Sequence, residues 1–330
     1  MGSFFVYNIC ILLVEGGLFL KETQYQKLTK LVSRPDLMER SVDYLAEHMG
    51  KFLKKRDKVM ICFPDEPATI GALMKEAVLR CEAVPQFLDE DPRWITLLKT
   101  TFVTRSDAII GPPLTMLGLA KLAKHMGTPL FARNVLICGY PCTYWMVDGI
   151  ERGLDCRVWG CYDPGLSAVV AGFSCAEERC IHLRSDCYRI SVLDDAGREV
   201  SGDTVGRIVL TPLCQDDICF DTGDRARLVT SPCACGSAYP RLMDIDTHFG
   251  VDPMLSTLSE SFHYWGSILD CKLANTGCGL EIELIVFPGE KLPKLPSCAK
   301  LVVRAWNPET DVPFPHAYMM KKRIFSQESH

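Results

Sequence analysis

The chain has 330 residues, of which 48% are hydrophobic and 23% charged. Those proportions supply a sizeable core and exclude general disorder. A formal net charge of -5 offers no basic stripe, so a nucleic-acid partner is not expected. The 17 cysteines are odd in number and no basic leader or small-residue cleavage site precedes them, which argues against a secreted disulfide framework and for a reducing cytoplasm.

In chain order, the apolar run from Phe4 to Val14 contains Asn8 and stops at Glu15, short of the roughly 20 residues a membrane helix needs. It reads as a buried strand, with residues 1–33 a divergent N-terminal remnant and no membrane partner. Apolar residues Leu37, Val42, Leu45, Met49 and Phe52 follow helical spacing, and Pro35 and Asp36 suit a first turn, so the pattern predicts an amphipathic helix over 35–54. Residues 58–63 then read as a buried strand closed by Pro64, and 69–81 as a helix. A strand over 108–113, a helix over 114–126 and a strand over 134–139 continue the alternation. Alternation of this kind predicts parallel βαβ units with helices on both sheet faces, and ligands at the carboxyl ends of the strands near Gly111 and Gly139.

Beyond Trp159 the segments shorten and turn signals multiply. Strands are expected over 188–193 and 206–211, with a turn at Asp194-Asp-Ala-Gly197, and this portion reads as an antiparallel β layer. After residue 250 the pattern predicts a helix over 251–264 and strands over 268–274, 280–287 and 299–305. The expected organisation is therefore an α/β core over 34–250, with a mostly parallel sheet, flanking helices and the β layer, followed by a small α+β domain over 251–330.

Two constellations carry chemistry. In Thr222-Gly223-Asp224 the glycine permits a close backbone approach, and an ionised Asp224 could accept from both hydroxyls of a ribose. The tripeptide equally suits a surface turn. Cys233-Ala-Cys235 before Gly236 offers two soft sulfur ligands on a tight turn, and Cys175 with His182 could complete a tetrahedral zinc site. Cys180 and Cys187 rank below them as ligands, and a buried structural thiol set is the bland alternative.

Read together, these segments resemble the phenylacetate-CoA ligase branch of the adenylate-forming ligases. The resemblance rests on Phe173-Ser-Cys175, on His182 seven residues later, on Phe220-Asp-Thr-Gly-Asp-Arg-Ala-Arg-Leu228 and on Pro232-Cys-Ala-Cys-Gly236. It runs in order from about Arg34 to Arg241. Cys138-Gly139-Tyr140-Pro141-Cys142 resembles the family's loop beside the adenine, and Trp159-Gly-Cys-Tyr162-Asp163-Pro-Gly165 its Tyr-Gly-Leu-Ser-Glu segment. The resemblance implies a structural zinc on Cys175, His182, Cys233 and Cys235. It also implies nucleotide contacts from Asp224, Gly139, Tyr140, Pro141, Tyr162 and Asp163, with Lys321 in the adenylation role.

The implied reaction activates an aryl or other organic carboxylate with ATP and magnesium to an acyl-adenylate, then passes the acyl group to coenzyme A. A homodimer or a partner subunit is compatible with this reading. The chain also departs from the family pattern. Asp221 stands where the family has Arg, and Asp163 is displaced from the acidic position. Leu13-Val-Glu-Gly-Gly-Leu-Phe-Leu-Lys21 occupies the place of the phosphate loop without a hydroxyl residue between its glycines and Lys21. Asp246 to Asp252 occupies the place of the family's Gly-Arg-x-Asp hinge. The alternative reading is therefore a catalytically inactive nucleotide- or acyl-binding relative.

Overall fold

The structure, a computed structural model, describes residues 35–65, 69–88, 91–139, 142, 144–162, 170–214, 220–246, 261, 265–276, 279–290 and 300–313. The expectations for residues 1–33, for Tyr140, Pro141, Asp163 and Lys321, and for most of the helix over 251–264 lie outside the described residues.

Short, largely apolar runs make the central strands of the parallel sheet, whose edge strand Val84–Phe87 is only partly buried. β1 (Lys58–Ile61), β2 (Val84–Phe87), β3 (Ala108–Gly111), β4 (Asn134–Ile137) and β5 (Arg157–Tyr162) run parallel in the order β2-β1-β3-β4-β5. They alternate with α1 (Pro35–Met49), α2 (Ile70–Arg80), α3 (Trp94–Thr104), α4 (Pro113–His125) and α5 (Tyr144–Leu154). The predicted helix over 35–54 ends at Met49, where Gly50 follows. α2 begins at a side-chain cap, with the amide of Ala72 donating to Thr69 Oγ1 at 3.3 Å, which satisfies one of the orphan donors of a first turn.

The inner strands β1, β3 and β4 are apolar on both faces because helices cover both. Val59 and Ile61 of β1, Ala108 and Ile110 of β3, and Leu136 of β4 pack with α1 and α2. Met60, Ile109, Val135 and Ile137 point the other way, into α3, α4 and α5. Fully burying a side chain of this size stabilises the fold by about 1.5–3 kcal/mol.

In the rest of this sheet, from β5 onward, every pairing is antiparallel. β6 (Gly172–Ser174), β7 (Ile181–Leu183), β8 (Tyr188–Leu193), β9 (Val205–Pro212), β10 (Phe220–Val229) and β11 (Arg241–Asp246) extend the parallel strands into an 11-stranded sheet. Its far half runs β5-β6-β7-β11-β10-β9-β8. Strand β11 pairs with β7 through Arg241 opposite His182, so the β10–β11 turn lies beside the β6–β7 loop.

A second sheet holds β12 (Ile268–Thr276), β13 (Gly279–Val286) and β14 (Lys300–Ala305). β12 and β13 are antiparallel, while β13 and β14 are parallel. Leu269, Ile285, Phe287 and Trp306 from this unit join the apolar cluster of α4. The His125 ring lies over Phe287 at 4.1 Å between centroids and 11° between planes. Lys121 Nζ donates to the carbonyls of Trp265 at 3.2 Å and Ile268 at 2.9 Å, which fixes the start of β12 to the helix.

Candidate functional site

The four side chains singled out as metal ligands come from two segments, the β6–β7 hairpin and the β10–β11 turn, that the sheet brings side by side. Cys175 follows β6, His182 is the middle residue of β7, and Cys233 and Cys235 sit in the turn between β10 and β11. One ligand atom from each lies within 4.8 Å of the others. Cys175 Sγ is 3.6 Å from Cys233 Sγ, and Cys235 Sγ is 3.2 Å from His182 Nε2. A tetrahedral ion with metal–sulfur bonds of about 2.3 Å spaces its sulfurs roughly 3.8 Å apart, so the observed arrangement fits a zinc-sized ion.

Local backbone explains the convergence. Gly236 has φ +80° and its amide donates to the Cys233 carbonyl at 3.0 Å, a turn that L-residues adopt only with strain. Both sulfurs at the ends of the set accept main-chain donors. The amide of Glu177 reaches Cys175 Sγ at 3.3 Å and that of Ser237 reaches Cys235 Sγ at 3.5 Å. His182 is oriented through its other nitrogen, since Nδ1 lies 3.1 Å from the carbonyl of Tyr239. With Nδ1 as the donor, Nε2 faces the thiols with its lone pair, the tautomer a metal ligand requires.

Electrostatics favour the ligand forms of His182 and Cys233 but not of Cys235. Burial, with Arg241 and Lys51 nearby, holds the His182 imidazole below its ordinary value despite the Tyr239 carbonyl and Glu178, so the ring is neutral at pH 7. Burial pushes Cys233 up, but the Cys235 backbone donor, the Cys235 thiol, Arg241 and Cys175 outweigh it and leave the thiol below its usual range. Burial also pushes the Cys235 thiol up to about 11. A bound cation would reverse that, because coordination deprotonates a thiol outright.

An aromatic roof that sequence reasoning did not identify closes the centre from α1. Tyr44 Oη donates to the His182 carbonyl at 3.3 Å. The Tyr44 ring meets Tyr239 edge-on at 6.2 Å, and the Arg184 guanidinium lies 4.7 Å from its centroid. His48 packs between Tyr44 and Phe173, at 4.2 and 5.1 Å between ring centroids. Periodicity marked Tyr44 and His48 only as helix residues. Nothing local in the sequence ties them to ligands more than a hundred positions away.

The Thr-Gly-Asp segment is not a surface turn. It lies inside β10, where the register with β9 shifts between Asp221 and Arg225, so the tripeptide forms a bulge. Thr222 Oγ1 donates to the Ile208 carbonyl at 3.1 Å, and the amide of Asp224 donates to Thr222 Oγ1 at 3.2 Å. Asp224 is fully buried, and its Oδ2 accepts from Tyr162 Oη at 2.6 Å. Tyr162 ends β5 and is buried among Ala171, Leu183 and Ile208. The structure therefore joins Asp224 and Tyr162, two of the residues expected at a nucleotide, directly to each other. Gly139 follows β4 with φ +79°, at the carboxyl edge of the parallel strands, where a Cβ would lie 3.5 Å from the Phe63 ring.

No family model matches the chain. No curated protein matches it either. Solved structures do. The chain resembles 2-hydroxyisobutyryl-CoA ligase in the postadenylation state in complex with 2-HIB-AMP, with a TM-score of 0.62 at 16% identity over 84% of this chain and 69% of that one. It also resembles a benzoate CoA ligase from Burkholderia xenovorans LB400, with a TM-score of 0.52 at 12% identity over 84% of this chain and 64% of that one. A variant of the amide bond synthetase McbA from Marinactinospora thermotolerans gives a TM-score of 0.51 at 13% identity, covering 78% and 57% of the two chains. The fold is that of adenylate-forming acyl-CoA ligases. Among the described residues no helix is long and apolar enough to cross a membrane.

Proposed function

We propose that the chain is an adenylate-forming, acid-CoA ligase-like protein of the phenylacetate-CoA ligase type, whose zinc centre fixes the strand that meets the nucleotide. The observation that carries this reading is the hydrogen bond of 2.6 Å between Tyr162 Oη and Asp224, because it sets a carboxylate at the carboxyl end of the parallel sheet, where α/β folds bind ligands. In this reading Asp224 accepts from the ribose hydroxyls, the Gly139 turn with Tyr140 and Pro141 borders the adenine, and Asp163 faces magnesium.

The chemistry explains the need for such a site. A carboxylate is a poor electrophile, so attack on the α-phosphate of ATP, with loss of pyrophosphate, gives an acyl-adenylate that a thiol can then attack. Charge gathers on phosphate oxygens in the first transition state and calls for preplaced donors. Lys321 is the residue assigned to that charge, and coenzyme A the acceptor. Zinc, held by Cys175, His182, Cys233 and Cys235, has four protein ligands and no place for water, so its contribution is structural. It ties the loop after β6 to the end of β10, the strand that carries Asp224.

One observation favours a second reading, a relative that binds nucleotide or acyl group without turnover. Asp224 is fully buried and engaged by Tyr162, so a ribose must displace the phenol before it can use that oxygen. Calorimetric titration with ATP and AMP, followed by a pyrophosphate-release assay with aryl acids, separates the two. Release dependent on an acid supports the ligase. AMP binding without release supports the inactive relative, and no binding of either nucleotide rejects both.

A further inference from the structure

The β6–β7 loop brings one more thiol to the metal centre than four ligands require. Cys180 is buried in one apolar cluster with Cys175 and Cys233, against Met243. Its sulfur, the Cys233 sulfur and a carboxylate oxygen of Glu178 lie within 4.8 Å of one another. The amide of Cys175 donates to the Cys180 carbonyl at 2.9 Å, which closes the loop and holds the two cysteines across from each other. Glu178 in turn reaches Arg241 at 3.6 Å, so the loop is pinned to β11 with Cys180 facing the β10–β11 turn. A cysteine serving only as a small apolar residue needs none of this. Cys187 is the comparison: it is buried with Tyr188 and Leu210 in a different cluster, and its thiol donates to Asp186 Oδ2 at 3.4 Å.

Resting on the zinc reading above, we propose that Cys180 is the resolving thiol of an oxidation site, in which a hydroperoxide converts the zinc centre into a Cys180–Cys233 disulfide. A metal-bound thiolate remains a nucleophile. The Cys233 thiolate attacks one oxygen of hydrogen peroxide, the O–O bond breaks, and one proton taken up from solvent yields Cys233 sulfenic acid and the first water. The Cys180 thiol then attacks the sulfenic sulfur. The S–S bond forms, the S–O bond breaks, and the departing hydroxide leaves with the thiol proton as the second water. Each sulfur gives up one electron and the peroxide takes two. Zinc, which has lost a ligand, departs as the dication. The disulfide joins the same two loops that the ion joined, so the β10–β11 turn remains tethered while Cys235 and His182 are released.

The test uses the full zinc-loaded chain treated with hydrogen peroxide, with released zinc read by a chromogenic chelator and disulfides mapped by mass spectrometry without reduction. The expected result is loss of zinc together with a Cys180–Cys233 bridge, reversed by dithiothreitol and added zinc. In Cys180→Ser the bridge is absent and Cys233 is trapped by dimedone as sulfenic acid, with zinc rebinding after dithiothreitol reduced at least about tenfold as Cys233 goes on to higher oxidation states, whereas Cys187→Ser forms the bridge like the unaltered chain. Full reversibility in Cys180→Ser, or a bridge in the unaltered chain that joins Cys233 to Cys175 or Cys235 instead, overturns the proposal. The mapping needs no variant, so it decides the matter even where Cys180→Ser does not fold. Protein that carries no zinc as purified rejects the metal reading itself, a different outcome from full reversibility without Cys180.

Discussion

The pair of Tyr162 and Asp224 supports a quantitative test. Asp224 is fully buried, and its Oδ2 accepts from a phenol at 2.6 Å. A hydrogen bond to a charged group contributes about 1.5–3 kcal/mol, and stripping one partner also leaves the other without its bond in a buried place. Asp224→Ala is therefore expected to cost roughly 2–4 kcal/mol of stability once a small cavity is included. Tyr162→Phe removes only the hydroxyl. In a double-mutant cycle read by urea denaturation, the pair should couple by about 1.5–3 kcal/mol. The same variants separate structure from binding. If Asp224 meets the ribose, Asp224→Asn weakens AMP by about tenfold or more, while Tyr162→Phe tightens it because no phenol has to be displaced. Coupling below about 0.5 kcal/mol would refute the reasoning, as would unchanged AMP affinity in Asp224→Asn.

Further outcomes follow from other parts of the fold. Gly139→Ala meets the Phe63 ring only at an ordinary contact distance of 3.5 Å but must hold φ +79°, so denaturation should show a loss of about 1–2 kcal/mol from strain alone. Tyr44→Phe removes the bond to the His182 carbonyl and should cost about 1 kcal/mol without changing metal content, which elemental analysis would check. Burial holds Lys121 down to about 8 against the pull of Cys271 and Asp270. The unfolded lysine keeps its proton up to its ordinary value near 10.5, so the folded state binds fewer protons between the two. Stability of the β12 attachment should therefore rise with pH across that window. Hydrogen exchange at β12 amides would report the rise, and Lys121→Met should remove the slope.

Much of the α/β core was legible because its strands are short apolar runs closed by Pro or Gly. Met60 and Ile61 inside Lys58–Ile61, and Ile109 and Ile110 inside Ala108–Gly111, are buried on opposite faces, and an unbroken apolar run is what two-sided burial requires. The helix Trp94–Thr104 was not legible. Its sequence WITLLKTTFVT is rich in β-branched residues, and only the burial of Trp94, Leu97, Leu98 and Thr101 overrides that local preference. Strands Gly172–Ser174 and Ile181–Leu183 are three residues each, too short for any periodicity to register.

The site divides in the same way. The Cys-x-Cys turn was visible because its ligands and its glycine are neighbours in sequence. The even choice between a ribose contact and a surface turn at Thr222-Gly-Asp could not be made from the tripeptide, since the bulge that buries Asp224 depends on the registers of β10 with β9 and β11. The roof of Tyr44, His48 and Tyr239 was invisible for a related reason. Its contacts span the sheet, and the atom of Tyr239 that orients His182 is a main-chain carbonyl, which every residue type carries.

The claim on which the rest depends is that Cys175, His182, Cys233 and Cys235 share one ion. Inductively coupled plasma mass spectrometry on the purified full chain, beside a Cys233→Ser and Cys235→Ser double variant, tests it most directly. The account predicts about one zinc per chain in the unaltered protein and close to none in the variant. Substoichiometric traces in the first, or undiminished zinc in the second, would contradict it.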